Sequence, residues 1–268
     1  MRRLAQAALL ALVGLCGVQR ADAQEWAGAL ALGGAGIVWP EDAGGGDLLD
    51  GGLAPRAPAG FRALYTSWYA LPEWSTQAAT VWVGRAATRV ALGAAVTGGR
   101  ALGWRSAAAG LGVVEPWAGA GAAFRVRDEP ARIRPTGSPM SGLDLSVSGG
   151  GWARVARAVR VSLSSGRLWA GAHSELPAQP AQACLFIGGA DLGAALAWRG
   201  DVDGARETAL ALRLAGGPLR LAAGARTGPW RSALGVEADW RGFTVGSAVE
   251  LHPVLGTTTR LTFGWGMR

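Results

Sequence analysis

The chain contains no lysine, so all 26 of its basic residues are arginine. They stand singly along the sequence with Asp or Glu among them, although the formal charge is +7. A phosphate-binding surface needs a concentrated basic patch, so a nucleic-acid partner is not expected. Cysteine and histidine are almost as scarce, at two each. His173, His252 and the Cys184 thiol cannot by themselves close a zinc site. His173-Ser174-Glu175 looks like a hydrolase fragment, but neighbours on an extended chain point to opposite sides, and a triad is defined by spatial geometry. His173 reads as a loop residue, and His252, before Pro253, as part of a turn. The glycine-rich GGAG at 33–36 and GAG at 119–121 lack the strand–turn–helix setting of a nucleotide fingerprint and read as close packing or bends. Neither an enzyme nor a cofactor is expected.

Long hydrophobic runs are also missing. Mean hydropathy is +0.20, yet beyond the extreme N-terminus no apolar run reaches the roughly 20 residues of a spanning helix. That terminus reads as a secretory signal over residues 1–23: MRR, then LAQAALLALVGLCGV, then Ala21-Asp22-Ala23 as the cleavage site before Gln24. Bulky Leu15 before Cys16 argues against a lipoprotein. Cleavage leaves Cys184 alone, without an intrachain disulfide.

What the chain has in abundance is period-two alternation. In SALGVEADWRGFTVGSAVELHP (232–253), Leu234, Val236, Ala238 and Trp240 share one phase; Glu237 and Asp239 take the other. The pattern resumes after Arg241-Gly242 with Val245, Val249 and Leu251 opposite Glu250, which describes two strands and a tight turn. Reading on in this way places strands at 61–70, 75–84, 88–97, 105–114, 117–127, 141–149, 158–165, 182–189, 190–200, 206–215, 218–226, 231–240, 243–251 and 257–266. The longest breaks, 128–140 and 166–180, are expected to be loops. Charges avoid the greasy phase: Asp191, Arg199, Arg213, Arg220, Arg226, Glu237, Asp239 and Glu250 all take the opposite one. Arg89, Arg125 and Asp144 do the same upstream.

A secreted β-sandwich shows the same phasing and stays as an alternative. Three features favour a membrane barrel. About fourteen consecutive strands close into a ring with a lumen that charged side chains can line. Strands of nine to eleven residues suit a tilted crossing of the hydrocarbon layer. The chain has thirteen tryptophans, of which Trp104, Trp117, Trp198, Trp230, Trp240 and Trp265 stand near strand ends, where interfacial rings belong. The expected fold is all-β: a transmembrane antiparallel barrel of about 14 strands over 61–268, its charges facing the lumen. Those charges are read as an ion-pair network crosslinking strands, with binding of a polar solute as the alternative.

Residues 24–60 break the pattern. They are Gly-rich, with acidic residues between the glycines and prolines at the end, and read as an irregular segment with a short helix near Asp47–Leu53. Asp42, Asp47 and Asp50 are expected to meet lumen arginines such as Arg213, Arg220 and Arg226. A disordered leader is the alternative. The run Leu32-Gly33-Gly34-Ala35-Gly36, with Glu41-Asp42-Ala43 and Gly52-Leu53-Ala54, resembles the opening of the FadL-like long-chain fatty-acid transporter barrels, and especially the PorV/PorQ group associated with type IX secretion. His252-Pro253-Val254-Leu255-Gly256 resembles the closing turn of the same group. Leu49-Asp50-Gly51 departs from the Asn-Pro-Ala usual there. The resemblance implies that 24–60 is a hatch inside the lumen. It also implies an outer-membrane location in a diderm bacterium, contact with lipids and the assembly machinery, and either a small hydrophobic ligand or a secretion-attachment or structural role. The last strand, Leu261–Arg268, alternates like an assembly signal but ends in Arg where an aromatic is common.

Overall fold

The computed structural model describes residues 25–71, 73–98, 103–133, 139–170, 181–189, 191–200 and 206–267. The expected signal segment and His173 lie outside them. Fourteen antiparallel strands form one closed ring in chain order, the last pairing with the first. They are β1 (Ala59–Ser67), β2 (Ser75–Arg85), β3 (Thr88–Thr97), β4 (Trp104–Val114), β5 (Ala118–Ile133), β6 (Pro139–Ala156) and β7 (Val159–Ala170). The ring continues with β8 (Ala181–Gly188), β9 (Leu192–Gly200), β10 (Arg206–Gly216), β11 (Leu219–Arg226), β12 (Arg231–Trp240), β13 (Phe243–His252) and β14 (Gly256–Met267). Closure leaves no unpaired edge, the condition for a sheet to sit in lipid.

Alternation turns into two surfaces. On β10, Glu207, Ala209, Ala211 and Arg213 are buried while Leu210, Leu212 and Leu214 are more than half exposed. The same two-phase rhythm runs through β2, β4 and β12. A continuous outward apolar surface around a charged interior is a lipid-facing wall, because any other arrangement would leave leucines in water and arginines in hydrocarbon. The barrel is therefore transmembrane.

The two rims differ. At one rim the connections are short, at 86–87, 115–117, 157–158, 189–191, 217–218 and 241–242, and Ala59 pairs with Met267 there. The opposite rim carries the connections at 68–74, 98–103, 134–138, 171–180, 201–205, 227–230 and 253–255, of which the last two are also short. Toward that rim β5 and β6 run on to Ile133 and from Pro139, paired beyond an irregularity at Glu129/Arg132. The break expected at 128–140 is thus largely strand: Gly, Pro and charge in the sequence signalled a turn, but pairing outside the apolar belt needs no apolar alternation.

Among the described residues before β1 are two short helices, α1 (Ala29–Gly33) and α2 (Gly45–Gly51). Helix α2 is the one expected near Asp47; α1 has no apolar period distinct from the surrounding Ala and Gly. Asp47, at the third position of α2, accepts the Gly44 N–H at 2.6 Å, the half of a capping box that a glycine N-cap permits. Gly52 ends α2 in the left-handed region, φ 71°, as helix ends favour.

Candidate functional site: the filled lumen

Residues 25–55 are almost all buried, and what buries them is the inward face of the wall. Helix α1 packs on β11–β14 and α2 on β3–β7. Between them Ile37 and Trp39 join Cys184, Phe186, Ala195 and Ala197 in one apolar cluster. Cys184 is buried there as a free thiol.

Close approach is made by missing side chains. Gly33 of α1 lies against the backbone of Gly235, and Gly52 against that of Gly150, so a Cβ at either position would collide with the wall. Leu32, Ala35 and Leu53 are buried, while Gly34 packs beside Trp39 and Gly36 turns the chain at φ 84°. Gly33 and Gly52 thus let the segment approach the wall, while Gly34 and Gly36 serve its own packing and turn.

Charge is matched across the same interface. Among the described residues ten arginines are buried, all on the strands. Glu25 faces Arg127 at 3.9 Å and accepts hydrogen bonds from Trp104 Nε1 and Ser106. Glu41 pairs with Arg160. Asp42 pairs with Arg213 at 2.7 Å and Arg220 at 3.0 Å, Asp47 with Arg62 at 3.2 Å and Asp50 with Arg125 at 3.1 Å. Burial pushes the Asp47 carboxyl up against the pull of Arg62. It takes Asp50 from 3.8 to about 8 although Arg125 and the Trp26 N–H oppose the shift. Arginine also stacks on tryptophan, Arg125 over Trp26 at 4.6 Å and Arg127 over Trp104 at 5.2 Å. Arg260 donates to the Ala27 carbonyl at 2.8 Å, Arg199 to that of Ala35 at 2.9 Å, and Arg89 to those of Pro55, Arg56 and Ala57.

Of the expected lumen charges, Arg199, Arg213, Arg220, Arg226, Glu237 and Glu250 are buried on the inward face. Asp239, half-buried, meets Arg220 at 3.0 Å. Asp191 is a correction: it is exposed in the turn before β9, since that strand begins at Leu192, two residues later than its alternation suggests. Arg226 does not meet the segment; Glu250 holds it at 2.8 Å. Glu25, Arg62, Arg127, Arg160 and Arg260 were not singled out by sequence, although the four arginines keep the inward phase of their strands. The expected aromatics divide. Trp117, Trp240 and the partly buried Trp265 face outward at the short-turn rim, Trp198 and Trp230 at the other. Trp104 is a correction, buried and bonded to Glu25, because its position near a strand end did not reveal its inward phase. His252 turns its Nδ1 onto the N–H groups of Val254 and Leu255 at 3.1 and 3.0 Å, closing its own turn.

No protein-family model matches the chain, and no curated protein matches it. Among solved structures it is similar to porins. One is a mutant of the Rh. blastica porin: TM-score 0.44, 7% identity, covering 78% of this chain and 98% of that one. Another is the KdgM porin: TM-score 0.42, 8% identity, covering 78% and 99%. Likeness at this level carries no argument about substrate. The filled lumen has to speak for itself.

Proposed function

We propose that this is an outer-membrane barrel of a diderm bacterium in which residues 25–58 act as a hatch. The hatch closes the lumen at rest and admits a small solute when it shifts. The observation that supports this is the occupied cross-section: both helices and five carboxylates of the segment engage the wall. An unfilled ring of fourteen strands would leak. Short turns mark the periplasmic rim of such barrels and longer loops the outer one, so β1 and β14 meet at the periplasmic side.

The resemblance to FadL-like barrels favours a hydrophobic solute. The glycine-to-backbone seats at Gly33 and Gly52 favour a second reading, a fixed core in a secretion-attachment or structural barrel, because they leave little slack. Deleting Ala27–Pro55 tests the hatch directly. The variant still runs as a heat-modifiable outer-membrane band, and its single-channel conductance in planar bilayers rises several-fold. A deletion variant that conducts no better than the full chain removes the hatch reading.

A further inference from the structure

Beside Asp42 lies a cavity of about 350 Å³ at the short-turn end of the lumen. Glu41, Asp42, Arg56, Arg62, Arg213 and Arg220 line its charged side, with Trp82 among the apolar groups. On that side Arg213 donates Nη2 to Asp42 Oδ1 at 2.9 Å, and its Nε lies 2.7 Å from Oδ2. Arg220, from the neighbouring strand, donates Nη1 to the same Oδ1 at 3.0 Å. Both arginines are buried. Two guanidinium groups from adjacent strands thus converge on one carboxylate, the geometry by which arginine recognises carboxylate and phosphate groups. The carboxylate comes from the segment and the arginines from the wall.

We infer that Arg213 and Arg220 form a seat for a small carboxylate or phosphate ligand, and that Asp42 is its built-in competitor. The inference rests on the hatch reading. The cavity is of small-molecule size. The surrounding charges are already matched, Arg220 by Glu237 and Asp239, Arg160 by Glu41 and Arg62 by Asp47. Exchanging Asp42 for one external anion therefore preserves the local balance, which favours a ligand with a single negative group. An anion that takes the seat releases Asp42, and the segment loses its hold on β10 and β11. Anion binding and hatch movement are then linked, each favouring the other.

The test uses the full-length protein in detergent, titrated calorimetrically with benzoate and, separately, inorganic phosphate at constant ionic strength. Asp42→Asn keeps the side chain's shape and gives up its charge. At least one anion is expected to bind this variant about tenfold tighter than wild type, and adding Arg213→Gln is expected to abolish the gain. No tightening with either anion overturns the inference, as does equal binding by the double variant. A second readout needs no variant: the same anion raises the open probability of the wild-type protein in planar bilayers, and an unchanged open probability also overturns the seat. If the deletion of Ala27–Pro55 conducts freely while both anion readouts fail, the seat falls and the hatch stands. If the deletion fails to conduct, the hatch falls first.

Discussion

Two arginine clusters on the same stretch of wall, β9 to β13, are neutralised in different ways. Toward the long-loop rim, Arg226 lies 2.8 Å and Arg231 3.3 Å from Glu250, and Arg199 lies 3.6 Å from Glu207. Every carboxylate there belongs to a strand. Toward the short-turn rim, Arg213 and Arg220 share Asp42, which belongs to the segment inside. The carboxylates of the first cluster tie strand to strand, while Arg199 also donates to the Ala35 carbonyl of the segment. The second ties ring to contents, so its strength decides whether the contents stay. Burying a charge is costly unless a partner is fixed beside it; here the same chemistry is used once for the wall and once for its occupant.

The largest effect that sharpens this contrast comes from deleting Ala27–Pro55. It strips carboxylates from Arg62, Arg125, Arg160 and Arg213 but spares Glu207 and Glu250. The open pore is expected to prefer anions, read as the sign of the reversal potential in a potassium chloride gradient. A cation-selective pore would break the comparison. Next comes Glu250→Gln, which leaves Arg226 and Arg231 short of a charge inside the wall. A loss of about 3–5 kcal/mol is typical of a broken buried pair, seen as a lower temperature of the heat-modifiability shift with unit conductance unchanged. If conductance rises instead, the strand-only cluster also holds the segment.

A smaller effect is expected from Gly52→Ala. A left-handed residue other than glycine costs about 1 kcal/mol, and the added Cβ meets the backbone of Gly150. Open probability increases while the ring keeps its thermal stability. The pH response follows from Asp50. Burial of the docked segment pushes its carboxyl up from the ordinary 3.8 to about 8, and release from the wall lets it fall back toward the ordinary value. Between those values undocking releases a proton, so docking is strongest below about 4, weakens as pH rises, and has lost this contribution above about 8. Open probability is expected to climb with pH by at most about tenfold per unit, and Asp50→Asn flattens the curve. The smallest contrast pairs two tryptophans. Trp104→Phe loses the bond to Glu25 and raises open probability slightly; Trp240→Phe, on the outside, leaves it unchanged.

The ring was legible because alternation is a property of each strand alone. The fourteen expected segments match fourteen observed ones, with ends displaced by a few residues except on β5, β6 and β7. Arg213 and Arg220 could be assigned to the inside by phase, and Asp42 to their company by charge. Partner choice was less legible: Arg226 has the same phase and charge as Arg220, and only register places Glu250 beside it. Helix α1 and Glu25 were invisible for a related reason. A segment seated by glycine and alanine has no periodic signature, since the wall supplies its shape.

The ring closes where Ala59–Ser67 pairs with Thr259–Met267, and residues 25–55 lie within it. Their charged partners stand on β1, β5, β7, β10 and β11, made early and late in synthesis. A ring zipped shut in advance would have to admit two helices end-on, past its rim. A segment already gathered against the unclosed sheet becomes instead a mould around which the last pair of strands meets. The seam then joins around its contents, or joins without them when Ala27–Pro55 is deleted.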